Sequence, residues 1–546
     1  MAQIPNEQPK YCRVSCRTEP RLSWCFSAFI LMLALGARLW NIRHQSVWLD
    51  EFFSYNYLDA PSLYECIVRQ RPENWEMVPL YYAVQYCWAQ IIPESAVWVR
   101  LLSVVPSALA AAAAALATWK YLGRLAGVMT GFWLALSPFH VFYGQGIRPY
   151  AWLPLMGLIS WLFLLWWRQT GRRRWLALSL LVNFAMLWTH LLTALILVAQ
   201  GLWLWGNSRF RISRAVIAWG LLHGLACLTL IPWIMTIRPA PDPAGMAAPP
   251  LGPVIGILLD GGTDASESFL GRLLFQDNEP VRWAWGIPPK FPLNLAGSTL
   301  GLLAAIRQPV ELALARLMLL GIFLSVLAWL FKRPAQPSDT TPQQPGRADP
   351  IGVWMAGVLF PALALYLLSL AWKPHVFQVR YLFFAWVFLP GALVSGFCRM
   401  APRTARLYAV SAASLLIVLF FGYGQLPVRQ DYRSIINLLR SPEYHTVRAL
   451  TPDWNLARVL VCNDRTLKTG IDWLEPDRFA YAVADEVKKG APFMLVFEGG
   501  LSDELRRQIE YDLIQWEVAA RRKIFGGMQN LYLYVIDPRE TSSPSL

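Results

Sequence analysis

Two adjacent carboxylates, Asp50 and Glu51, stand in an aromatic setting, Trp48-Leu49-Asp50-Glu51-Phe52-Phe53-Ser54-Tyr55, about ten residues beyond the first strongly apolar run. An acid pair beside lipid is expensive to keep ionised, which makes it a functional candidate by default. The plainer reading is a solvated loop acid next to interfacial aromatics. An ionised carboxylate can take the proton of an attacking hydroxyl. Asp50 is the choice for that base, with Glu51 orienting the incoming group or supporting Asp50. Two acids with no assured third oxygen ligand make a poor cage for Mg²⁺ or Ca²⁺. Cations stand at the ends of other apolar runs: Arg148, two residues before Tyr150, and Arg380, which shares a short connection with Lys373 and His375. Arginine grips phosphate oxygens with a fork of donors, although a long basic side chain at a span end also snorkels to water without further purpose. His190 lies inside an apolar block, where a satisfied structural histidine is commoner than a ligand-binding one.

The elements that must position these groups are membrane helices. Only 15% of the 546 residues are charged and 55% are hydrophobic, against about a quarter charged in soluble domains. Apolar runs of spanning length fall at about 22–40, 97–121, 125–142, 149–167, 175–188, 191–205, 215–237, 312–331, 351–371, 381–398 and 407–424. The block around Thr189-His190 reads as two spans or one long helix; with two, the total is about eleven. The run 22–40 is too long for the apolar region of a signal peptide and has no small-residue cleavage site after it, so it reads as a retained first helix. Alternate connections carry the basic clusters: Lys120 and Arg124; Arg168 and Arg172 to Arg174; Arg209, Arg211 and Arg214; Lys332 and Arg333; Arg399, Arg403 and Arg406. Positive charge on the inner side then places the N-terminus in the cytoplasm and the C-terminal segment outside, across a plasma (inner) membrane. The net charge of +14 reads as topology and contact with anionic membrane lipids; no aromatic-lined basic groove points to nucleic acid.

Two outer regions are long, about 41–96 and 238–311, and long loops tend to be functional. The first holds Asp50-Glu51 and is rich in Trp and Tyr, which suits amphipathic helices lying in the interface. The segment 334–350 reads as a polar cytoplasmic linker. Beyond residue 424 the composition becomes that of a soluble domain. Helices are expected at 431–439, 477–489 and 502–516, and strands at 458–462, 493–497 and 530–536, a small α/β domain that supports or docks. The eight cysteines form no framework; Cys66 and Cys87 share an outer loop and could pair, and Cys12 and Cys16 lack partners for a zinc site.

Several stretches then line up in order: Trp48-Leu49-Asp50-Glu51; Pro79-Leu80-Tyr81-Tyr82 followed by Arg100-Leu101-Leu102-Ser103; Leu136-Ser137-Pro138-Phe139 followed by Gln145-Gly146-Ile147-Arg148-Pro149-Tyr150-Ala151; Thr189-His190; Pro232-Trp233; Arg380-Tyr381-Leu382 with Pro390; and Gln430-Asp431-Tyr432-Arg433. Over about residues 22–435 this series resembles the polyprenyl-phosphate-sugar-dependent glycosyltransferases of the GT-C class, and more narrowly family 39, the dolichyl-phosphate-mannose protein mannosyltransferase-like group with its bacterial relatives. Two positions depart from the family pattern. Gly146 stands where relatives often carry Glu, and Met77-Val78-Pro79 where they often carry His-Pro-Pro, with Glu76 nearby.

The resemblance implies a multi-pass α-helical membrane protein of GT-C fold with a small C-terminal extracytoplasmic α/β domain: a tail at 1–21, the membrane domain at 22–424 and the outer domain at 425–546. It implies transfer of a sugar from a polyprenyl-phosphate donor to a glycolipid, polysaccharide or protein hydroxyl, with inversion and without metal or other cofactor. Asp50 and Glu51 would be catalytic. Arg148, Arg380, Tyr150 and Lys373 would hold the donor phosphate, and His190, Tyr82 and His375 would contact substrate. The rival reading is a flippase for a lipid-linked sugar. Transporters of that kind tend to show internal repeats, and the spans show none.

Overall fold

The computed structural model describes residues 20–43, 45–70, 78–93, 95–208, 211–235, 350–371, 383–400, 432–445, 447–463, 471–498, 503–516, 518–525 and 531–541. The expected spans at 312–331 and 407–424, the second outer loop and the linker lie outside these residues.

Four described helical segments are long and apolar enough to cross a membrane: 21–39, 96–122, 149–170 and 214–234. The first belongs to α1 (Pro20–Leu39) and the second is α5 (Ala96–Leu122). Between them the chain folds into α2 (Leu49–Tyr55), α3 (Leu63–Gln70) and α4 (Pro79–Ala89). The expected span 125–142 is two helices, α6 (Arg124–Leu136) and α7 (Pro138–Gly144). Ser137 has φ −57° and ψ 122°, the extended geometry forced on a residue before proline, so Pro138 ends one helix and starts the next. A 3₁₀ turn at Pro149–Trp152 leads into α8 (Leu153–Thr170). The block left open between one helix and two is two, α9 (Arg173–Leu187) and α10 (Ala194–Asn207), with His190 in the turn between them. Then come α11 (Arg214–Leu228), the short α12 (Ile231–Ile234) and α13 (Pro350–Ala371). The expected span 381–398 is likewise broken, into α14 (Phe383–Trp386) and α15 (Leu389–Met400).

Small residues let α1, α5 and α6 approach closely. Ala108, Ala111, Ala114 and Ala115 of α5 are fully buried, and a Cβ on Gly127 of α6 would lie 2.5 Å from the Trp119 Cβ. Without water to drive helices together, such packing and interhelical hydrogen bonds carry association. Arg38, buried at the end of α1, supplies several. Its Nε donates to Ser107 Oγ (2.7 Å), and its Nη atoms donate to the Ala34, Ala135 and Leu134 carbonyls (3.1, 3.2 and 2.9 Å). The last two carbonyls lie in the final turn of α6, where the helix itself provides no donor. A Cβ on Gly144 would fall 2.7 Å from both Arg38 Nε and Ser107 Oγ, so the clamp needs glycine there.

A second polar cluster ties α8 to α11. Ser160 Oγ donates to Asn183 Oδ1, Asn183 Nδ2 to Gln200 Oε1 (2.8 Å), and Gln200 Nε2 back to Ser160 Oγ (2.7 Å). Asn183 Nδ2 also meets His223 Nε2 at 2.8 Å, and His223 Nδ1 meets the Trp219 carbonyl at 2.8 Å. Closed rings of this kind leave few polar groups unmatched in lipid, and each interhelical bond contributes about 0.6 kcal/mol.

The C-terminal residues form a five-stranded sheet. Its elements in chain order are α16 (Tyr432–Leu439), β1 (Arg448–Thr451), α17 (Trp454–Asn463), β2 (Ile471–Trp473), α18 (Pro476–Lys489), β3 (Phe493–Glu498), α19 (Asp503–Gln515), β4 (Val518–Phe525) and β5 (Leu531–Thr541). The strand order is β2-β1-β3-β5-β4. The first three strands run parallel and the last two pair antiparallel. The strand expected at 458–462 is instead inside α17. Leu456, Val459 and Leu460 are all buried at helical spacing, and Asp453 Oδ1 accepts from the Leu456 amide at 3.1 Å to start the helix. That cap and spacing override the strand preference of the Val-rich run.

Candidate active site

The two acids part company as soon as the chain becomes helical. Both lie in the first turn of α2. Successive helical residues are about 100° apart and do not face each other. Asp50 is half-buried, whereas Glu51 is fully buried.

Glu51 faces Arg100 of α5, also fully buried. Arg100 Nε and Nη2 donate to the two carboxylate oxygens at 3.1 and 2.8 Å. Its other donors go to the carbonyls of Ile42 (3.0 Å), Gln45 (2.9 Å) and Ser46 (2.9 Å). Each of the five guanidinium N–H groups therefore has an acceptor. Glu51 Oε1 also accepts from the Ile147 amide at 2.9 Å. Glu51 is thus closed to an incoming acceptor. It anchors α2 to α5 and to the chain that precedes Arg148.

Arg148, nearly fully buried, donates through Nη1 to Ser54 Oγ at 3.3 Å. Ser54 stands four residues after Asp50 on α2, one helical turn along the same face. Its carbonyl accepts from Gln85 Nε2 of α4 at 3.5 Å. The Arg148 guanidinium also lies 5.7 Å from the Tyr150 ring. Tyr150 is fully buried, with its ring centre 5.7 Å from that of His190 and 5.6 Å from that of Tyr143. His190 is fully buried, and its Nδ1 accepts from the Leu192 amide at 3.3 Å, which places the ring proton on Nε2. Tyr82 is buried against Tyr81 at 5.5 Å, and Tyr81 against Trp152 at 5.4 Å. The Leu80 amide donates to the Trp188 carbonyl at 2.9 Å, joining the start of α4 to the turn that carries His190.

The structure thus brings Asp50, Glu51, Arg148, Tyr150, His190 and Tyr82 into one connected region built on α2. Arg380, Lys373 and His375 lie outside the described residues, as does Glu76. Gly146, the position without an acid, is buried. Among the described residues no three His, Cys, Asp or Glu side chains converge. Cys66 and Cys87, which could have paired, are both free thiols, one buried and one exposed.

Arg100, Arg38, Ser54 and Gln145 were not assigned roles by sequence reasoning. The two arginines carried a signal, since each is a charge inside or at the end of an apolar run, where interior pairing is the rule. Gln145 stood out only as the start of the Gln145–Ala151 stretch; its Nε2 donates to the carbonyls of Arg38 (2.9 Å) and Trp40 (2.8 Å), closing the end of α1.

No protein-family profile matches the chain, and no curated protein does. Among solved structures, ArnT from Cupriavidus metallidurans bound to undecaprenyl phosphate aligns over 93% of this chain and 98% of its own, at 13% identity and a TM-score of 0.34. The same protein in the apo state aligns over 94% and 97%, at 13% identity and a TM-score of 0.35. The oligosaccharyltransferase AglB from Archaeoglobus fulgidus, in complex with an inhibitory peptide and a dolichol-phosphate, aligns over 91% of this chain and 73% of its own, at 12% identity and a TM-score of 0.42. Likeness at that level carries no argument about the chemistry of this chain.

Proposed function

We propose that the protein is a GT-C glycosyltransferase that moves a sugar from a polyprenyl-phosphate donor to an acceptor hydroxyl at the outer membrane face, with inversion. The single observation that carries this reading is the union of Asp50 and Arg148 through one turn of α2. A half-buried carboxylate and a buried guanidinium are anchored to the same short helix, the cation through Ser54. That pairing serves a displacement in which a proton must be taken at one end and an anion must leave at the other.

In this mechanism the acceptor oxygen attacks the anomeric carbon as the bond from that carbon to the phosphate oxygen breaks. Asp50 takes the acceptor proton. The bonding pair leaves with the polyprenyl phosphate, whose growing charge is met by Arg148, with Arg380 and Lys373 as further donors and Tyr150 as a hydroxyl donor. Fixed cations in a water-poor site stabilise such charge without reorganising. His190, Tyr82 and His375 line the substrate. Glu51 acts through Arg100 by holding α2, so that Asp50 meets the acceptor in one orientation. The Ser, Gln and Asn clusters within the helices support this frame.

The test incubates purified protein with labelled polyprenyl-phosphate sugars and a membrane extract as acceptor. Label entering a new product supports transfer. Label that crosses a sealed vesicle without changing its chemical linkage supports the flippase instead.

A further inference from the structure

The C-terminal domain reaches back, over roughly four hundred residues of sequence, to the segment that carries Asp50. Asn463, the last residue of α17, makes a two-point clasp on Val47: the Val47 amide donates to Asn463 Oδ1 at 2.9 Å, and Asn463 Nδ2 donates to the Val47 carbonyl at 2.8 Å. The second Nδ2 proton goes to the Val459 carbonyl at 2.9 Å, which fixes the amide's orientation. Val47 is buried and lies three residues before Asp50. Residues 45–48 belong to no helix or strand ladder, so Asn463 supplies both backbone partners of Val47. From the same helix, the Arg458 guanidinium lies 4.7 Å from the Phe52 ring of α2. Arg433 of α16 donates to the Arg43 carbonyl. Three side chains of the C-terminal domain thus hold the stretch that runs from Arg43 to Phe52.

We infer that Asn463 and Arg458 are positioning residues for Asp50, and that the C-terminal domain is a working part of the transfer site rather than a separate support module. This rests on the glycosyltransferase reading for its catalytic consequence, but the positioning is a physical claim of its own. Asparagine is the side chain that the clasp requires. Aspartate keeps the acceptor but sets a carboxylate against the Val47 carbonyl, glutamine is one methylene too long, and alanine leaves a buried N–H and C=O without partners. Arg458 over Phe52 offers both a charge and a flat face, and lysine keeps only the charge.

The experiment compares wild type, Asn463→Ala, Asn463→Asp and Arg458→Lys by hydrogen–deuterium exchange and by steady-state transfer. Arg539→Ala serves as a control in the same domain, since Arg539 pairs with Asp537 at the surface. Both Asn463 variants are expected to speed exchange of the Phe52 and Asn56 amides by about tenfold or more, with β3 and β5 amides unchanged. They are expected to lower kcat by about tenfold while the donor KM stays within about twofold. Arg458→Lys shows a smaller effect of the same pattern, and Arg539→Ala none. Exchange at Phe52 and Asn56 equal to wild type overturns the positioning, as does full kcat in Asn463→Ala. If wild type transfers nothing, the glycosyltransferase reading falls, and the exchange result alone decides the clasp.

Discussion

Glu51→Gln is the perturbation whose consequence follows most directly from the geometry. It leaves the Arg100 guanidinium fully buried with its countercharge gone, and both partners are 0% exposed. Removing one member of a buried ion pair costs about 3–5 kcal/mol, which at about 1.4 kcal/mol per decade is roughly two to three and a half decades in the opening equilibrium of α2. Arg100→Met should be at least as severe, because it strips donors from the carbonyls of Ile42, Gln45 and Ser46 as well as from Glu51. The double variant Glu51→Met with Arg100→Met carries no unpaired charge, so its loss should fall short of the summed singles by about 1–3 kcal/mol. The assay is hydrogen exchange of protein in nanodiscs, read at the Phe52 and Asn56 amides, which bond to the Trp48 carbonyl (2.8 Å) and the Phe52 carbonyl (2.9 Å). Exchange in Glu51→Gln within about threefold of wild type, or strictly additive singles, would refute the anchor.

Arg148→Lys keeps a positive charge but loses the fork and the flat face over Tyr150. It should weaken transfer about 10–1000-fold, and an equal loss from changing a surface arginine such as Arg539 would refute the phosphate role. Burial pushes the Cys66 thiol up to about 11, while Cys87 is exposed. At about pH 8 a maleimide should therefore label Cys87 and spare Cys66. The folded pKa is the raised one, so this thiol's contribution is full below its unfolded pKa near ~8.5 and declines as pH rises toward about 11. Thermal unfolding followed across that window should show the decline in wild type and lose that part of it in Cys66→Ala; labelling of both thiols at about pH 8 would contradict the burial.

Much of this architecture was legible because bilayers impose simple rules. Runs such as 22–40 and 97–121 are apolar for long enough that α1 and α5 follow from composition alone. Asp50 and Arg148 stood out as charges beside such runs. Contacts and turns made by folding were not legible. Adjacent acids look like a pair in sequence, but the helical rotation of α2 turns Glu51 inward and leaves Asp50 half-buried. The partner that gives Glu51 its role, Arg100, is 49 residues away, and spacing cannot reveal a contact made by folding. The span ends were blurred where proline or a polar turn breaks a continuous apolar run, as at Ser137-Pro138. Within the C-terminal sheet region, the run Arg458-Val-Leu-Val-Cys462 has strand-like composition, and only the cap at Asp453 and the buried stripe through Val459 make it helical. Asn463 carried no such signal, and its partner Val47 lies 416 residues away.

Asp50→Asn tests the central claim most directly. The substitution removes the base while preserving size, and the five donors of Arg100 go to Glu51 and to the carbonyls of Ile42, Gln45 and Ser46. Purified wild type and variant would be compared for transfer from labelled polyprenyl-phosphate sugars, with exchange at Phe52 as a check on folding. The account predicts unchanged exchange and loss of transfer by about 100-fold or more. A folded Asp50→Asn variant that transfers sugar at the wild-type rate would contradict it.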